Sequence, residues 1–195
     1  MTIDTMGQLN AGWGICGFTS SLYALYHHNA AQQARLAQAG NIPTRMVAEI
    51  KTYLRMLQAD GSTQRLAEIE QFTQSFGGVH AAFTIDSYIA KIDDVVDNGA
   101  DPRDATFGIA LPPDAVVDYL QRVCNFPNAK VVGLRANANE LILGVYDTND
   151  ITAMYKGLQH YVYSLDGTIY SWGNQFTDVQ DAMGASWDVC YKIAF

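Results

Sequence analysis

The chain has 195 residues, enough for one domain whose core needs no disulfide or metal staple. Composition is that of an ordinary soluble globular protein: 49% hydrophobic, 11% aromatic and 16% charged. A net charge of −8 and a pI near 4.7 exclude a phosphate backbone as the main partner, since such binding rests on clustered Lys and Arg.

Cys16, Cys124 and Cys190 are odd in number and widely spaced, so they make neither a disulfide framework nor a CxxC zinc pattern. No metal and no cofactor are expected. The N-terminus lacks the charged and apolar regions of a signal peptide. No apolar run approaches the roughly 18 residues of a membrane span. The expectation is a soluble chain that, if exported, leaves without a cleaved leader.

In chain order, residues 1–16 read as an irregular lead-in containing Gly7, Gly12 and Gly14. Phe18, Leu22 and Leu25 recur at helical spacing and predict a helix over 18–39, ended by Gly40-Asn41. His27 and His28 lie on it, about 100° apart, in structural or solvent-facing roles. A second helix is predicted over 43–59, with Met46, Ile50, Tyr53 and Leu57 on one face. A third starts at a Ser62 or Thr63 cap and ends at Gly77-Gly78; a fourth runs from a Thr84 cap to Asn98-Gly99. Asp101-Pro102-Arg103-Asp104 is a turn and the boundary between a helical lobe, about 1–100, and a sheet lobe, about 101–195. A short strand is expected over 106–111 and a helix from Pro112-Pro113 to about 125. The period then changes. Strands are predicted over 130–134, 141–146, 158–165, 168–172 and 187–195, with a hairpin at Asp166-Gly167 and a short helix over 178–183. The class is α+β in a single domain.

The stretch that organises the rest is Gly12-Trp13-Gly14-Ile15-Cys16-Gly17-Phe18. A thiol at the first turn of a helix meets unpaired N–H groups and the positive end of the helix dipole, which should lower its pKa. Cys16 is therefore read as a nucleophile; a small buried cysteine at a tight turn is the alternative. A thiol hydrolase also needs a base, a group to orient it and donors for an oxyanion. His160, inserted among β-formers, is read as the base, since an unpaired histidine there would cost desolvation; a histidine satisfied within the sheet or exposed on its edge is the alternative. His80, behind Gly77-Gly78, is the weaker candidate. The orienting group depends on the hairpin register. A two-residue turn puts His160 opposite Gly173 and sends Asn174 to the other face; a three-residue loop puts Asn174 diagonally beside it. Asp166, at the hairpin tip, reads as a turn residue before a triad member, and Ser171 and Asp178 are further options. The Cys16 N–H and the side-chain amide of Asn10 or Gln8 are the oxyanion donors.

A Cys at the head of a long helix, a distant His on a strand, and an Asn beside Ser171-Trp172-Gly173 together resemble the papain-like cysteine peptidase superfamily. The resemblance covers those segments and the helix-then-sheet order, not the intervening helices. Tyr170 stands where the family has Asn before Ser-Trp-Gly, and Trp13 precedes the cysteine where the family has a Trp after it. Asn10, not Gln8, holds the family's usual separation from the nucleophile. The chain is similar to a divergent branch, the small papain-fold effectors and toxins that bacteria deliver.

The resemblance implies a papain-like fold in which Cys16 attacks, His160 shuttles the proton, Asn174 orients it and Asn10 assists the oxyanion. It implies hydrolysis of an amide in a protein or peptide through a thioester. It also implies a bacterial cytoplasmic origin before delivery into a host or competitor cell, and a cognate inhibitor or immunity protein as partner. Glutamine deamidation, cleavage of peptidoglycan stems, and a non-enzymatic immunity or adaptor role remain open alternatives.

Overall fold

A computed structural model describes residues 3–36, 42–99, 107–150 and 154–195. Among the described residues, seven α-helices precede the sheet: α1 (Ile3–Trp13), α2 (Cys16–His28), α3 (Ala30–Leu36), α4 (Ile42–Ala59), α5 (Thr63–Gln74), α6 (Ile85–Asn98) and α7 (Pro113–Arg122). Six antiparallel strands follow: β1 (Lys130–Val132), β2 (Glu140–Asp147), β3 (His160–Leu165), β4 (Thr168–Ser171), β5 (Asn174–Phe176) and β6 (Trp187–Ala194). A short α8 (Val179–Met183) sits between the last two. Their spatial order is β1-β6-β2-β3-β4-β5. No described helix is long and apolar enough to cross a membrane.

Local chemistry explains most boundaries. Thr84 caps α6, accepting from the Ser87 N–H at 3.2 Å, and Gly99 closes it in the left-handed conformation. Pro113 opens α7, where its missing N–H costs nothing. On α4, Met46, Ile50, Tyr53 and Leu57 are fully buried along one stripe.

Three expectations along the chain are corrected. The lead-in is largely helical: α1 buries Ile3, Met6 and Trp13, and this tertiary packing outweighs the glycines that suggested a loop. The long second helix is broken at Asn29, whose backbone is extended and whose side chain accepts from the N–H groups of Ala31 and Gln32, starting α3 afresh. The segment expected as a strand from 106 forms none over residues 107–111. It runs against α5 instead, where the Ala110 N–H donates to the Thr73 hydroxyl at 3.0 Å. The 101–104 turn and the end predicted at 39–41 fall outside the described residues.

The sheet is apolar on both faces. Ile142, Tyr161, Tyr163 and Ile193 join the main core under the helices. Leu141, Leu143, Val145, Val162 and Ile169 form a second cluster that α8 covers with Val179. Helix α2 lies in the main core, with Phe18 and Leu22 fully buried and each worth about 1.5–3 kcal/mol of apolar burial. Its far end is held as firmly: the His27 ring stacks on Tyr163 at 5.5 Å, and Tyr23 donates to Asp4 Oδ1 at 3.2 Å. Glu140 accepts from the Tyr163 hydroxyl and pairs with His28. The two histidines thus have the structural surroundings expected of them.

Two tight turns fold β3, β4 and β5 into a meander. Leu165 pairs with Thr168 across Asp166-Gly167, and Ser171 pairs with Asn174 across Trp172-Gly173. All four turn residues have positive φ (49° and 83°, then 49° and 77°), the type I′ geometry that matches strand twist.

Candidate active site

Helix α2 delivers Cys16 at its first position. The residue ahead of it, Ile15, has no side-chain oxygen to cap the helix, so the first N–H groups of the turn face the Cys16 thiol itself. Facing it is the start of β3, where His160 is the first strand residue and is buried. Both side chains line one cavity of about 160 Å³, with Asn10, Gly14, Thr73, Phe76, His80, Ile109, Ala110 and Gln159. That volume has room for one side chain rather than a folded surface. No direct hydrogen bond joins the thiol to the ring.

The two-residue turn at Asp166-Gly167 settles the register, and with it the partner of the imidazole. His160 Nε2 lies 2.9 Å from the Ser171 hydroxyl, both groups being buried. Asn174 is exposed on the next strand, its amide donating to the Trp172 carbonyl at 3.3 Å. It does not orient His160: the Trp172-Gly173 turn places it on β5, which pairs with β4 and not with β3, and Ser171 occupies the position beside the ring. Asp166 stays exposed at the far end of β3. Trp172 stacks on the His160 ring, centroids 4.8 Å apart and planes 22° apart. A tryptophan at φ 49° costs backbone strain of about 1–3 kcal/mol, retained here where the ring shields the histidine.

Asn10 is buried beside the cavity, and its Oδ1 has no hydrogen-bond partner. An unpaired buried acceptor costs about 1–3 kcal/mol, so its retention calls for a role. Gln8, the other oxyanion candidate, is exposed outside the cavity and packs where a Cβ on Gly173 would sit.

Burial dominates the electrostatics. It pushes the Cys16 thiol up to about 11, although the backbone N–H groups of Tyr161 and Gly17 pull the other way. This corrects the expectation of a lowered thiol: the helix terminus is present, but desolvation is larger. Burial likewise lowers His160 to about 3. At neutral pH the resting site therefore holds a thiol and a neutral imidazole. Proton transfer from one to the other would create both charges together, and their attraction would offset part of the desolvation.

Close backbone approaches fix the arrangement. A Cβ on Gly173 would lie 2.3 Å from the Asp4 carbonyl oxygen, and one on Gly7 2.8 Å from the Gly173 nitrogen, so α1 and the β4–β5 turn touch through bare glycines. The same turn carries Trp172, and α1 carries Asn10.

Ser171 was legible only as one option among several, and the stacking of Trp172 was not foreseen. The usable signal was Asp166-Gly167, whose preference for a two-residue turn dictates the register. Trp172-Gly173 gives no comparable turn signal, since large side chains seldom adopt positive φ. Among the described residues, no group of three or more His, Cys, Asp or Glu gathers as a metal site. No family model, curated protein or solved structure matches this chain.

Proposed function

We propose that the protein is a cysteine hydrolase of amide bonds, a divergent papain-like enzyme in which Cys16 is the nucleophile and His160 its base. One observation carries this reading. Cys16 begins a helix that has no side-chain cap and shares a cavity with a buried imidazole whose Nε2 is held by Ser171 and whose face is covered by Trp172. With Nε2 engaged, Nδ1 is the nitrogen left to take the thiol proton as attack begins. The thiol sulfur adds to the amide carbonyl, and the N–H groups of Cys16 and Gly17 together with the Asn10 amide receive the oxyanion. The C–N bond then breaks, the amine leaves with the proton from His160, and water hydrolyses the thioester. Ser171 takes the orienting role that the resemblance assigned to Asn174. A peptide or protein substrate, delivery as a bacterial effector, and a cognate immunity protein belong to this same reading.

The test is the rate at which iodoacetamide labels Cys16 near pH 7.5, read by peptide-mapping mass spectrometry. Replacing His160 with Ala should slow labelling by about tenfold or more, because the thiol then lacks its proton acceptor. Equal rates in the two proteins would remove the hydrolase. They would support the alternative of a binding protein that keeps the fold without the chemistry, which the neutral resting pair favours.

A further inference from the structure

A second cavity, about 170 Å³, lies beside the first, and His80 lines both. Val79, Ala82, Phe83 and Tyr88 give the second cavity a largely apolar wall, with Ser87 and Lys91 as polar members beside His80. The imidazole is brought there by unusual backbone. Gly77 and Gly78 adopt φ of 65° and 54° just ahead of the short 3-10 turn Gly78–His80. On the other side, a Cβ on Gly108 would fall 2.4 Å from the His80 Cε1 and 2.4 Å from the Trp13 carbonyl oxygen, so only a glycine admits the ring. Among the described residues no group hydrogen-bonds either ring nitrogen, as is also so for the buried Nε2 of His27, whereas His28 and His160 each have a partner. Burial lowers the His80 pKa, leaving one donor and one acceptor free for a ligand. Phe76 and Val79 flank the ring, and both stay exposed, at 41% and 65%.

We propose that His80 is a specificity-determining residue that hydrogen-bonds the main chain of an extended peptide and seats an apolar side chain of that peptide in the second cavity. The inference rests on the hydrolase reading and adds the substrate class: an apolar peptide segment next to the reacting amide. Two small cavities on either side of one imidazole suit neighbouring residues of a chain. The exposed apolar rim and the net charge of −8 disfavour an acidic one.

The test uses two pentapeptides with a thiol-reactive acrylamide on the central side chain, flanked on both sides by Phe in one and by Asp in the other. In the native protein the Phe-flanked peptide should label Cys16 about tenfold faster than the Asp-flanked one. His80→Ala and Val79→Asp should collapse that ratio towards one, while His80→Gln, which keeps a hydrogen-bonding head, should hold most of it. A ratio near one in the native protein, or a ratio untouched by His80→Ala, would overturn the proposal. Iodoacetamide labelling of the native and His160→Ala proteins reads the nucleophile separately. Loss of peptide preference with an intact His160 effect would remove the specificity role alone.

Discussion

Among the described residues the hydrogen-bond partner of His160 is one hydroxyl, that of Ser171. Removing it in Ser171→Ala leaves a buried ring nitrogen unsatisfied and the imidazole free to turn. The variant should unfold about 1–2 kcal/mol more easily in urea. It should also lose about tenfold in Cys16 labelling rate, while Ser171→Thr, which keeps the hydroxyl, should recover most of the rate. A purely structural serine would show the stability loss without the change in labelling. The thiol itself illustrates why one residue's environment is poorly readable from sequence. Cys16 stands at a helix N-terminus as expected, yet packing against the main core desolvates it, and that core is assembled from residues far along the chain.

Contact between α1 and the β4–β5 turn is the element-scale device that holds the site. Gly173→Ala would put a methyl into the Asp4 carbonyl and strain a φ of 77°, so the turn and α1 must part. The expected cost is about 2–4 kcal/mol, seen as a lower urea midpoint. Near-ultraviolet circular dichroism of Trp172 should change with it; a variant of native stability would show that the two elements are not clamped. The amphipathic helices α4, α5, α6 and α7, the Asp166-Gly167 hairpin and five of the strands were legible because each rests on local periodicity or turn chemistry. The α1 helix and β5 were not. Both exist through long-range packing, α1 on α2 and the β4–β5 turn, β5 as an added edge strand after an unheralded tryptophan turn.

Across the whole molecule, acid stability follows the buried imidazoles. His160 is lowered to about 3 in the folded chain from an ordinary value of 6.5, and burial lowers His27 and His80 in the same direction. The unfolded chain therefore binds protons that the folded chain refuses, and stability falls as pH drops from about 6.5 towards 3. For His160 alone the loss by pH 4.5 is roughly 2–3 kcal/mol. Urea unfolding at pH 7.5 and 4.5 should show this fall, and His160→Gln should flatten it; an unchanged pH slope would mean that the imidazole is not buried neutral. The overall α+β order of helices before sheet was legible from the change of hydrophobic period near residue 130, because each half repeats its own spacing. How the two halves meet at one cavity was not, because it depends on register and on glycine contacts that leave no periodic trace.

Strand β6, the final one in the chain, lies between β1 and β2. A ribosome therefore releases β1 and β2 before the strand that joins them, so β2, β3 and β4 can pair as they emerge while β1 must wait for β6 to attach it to the sheet.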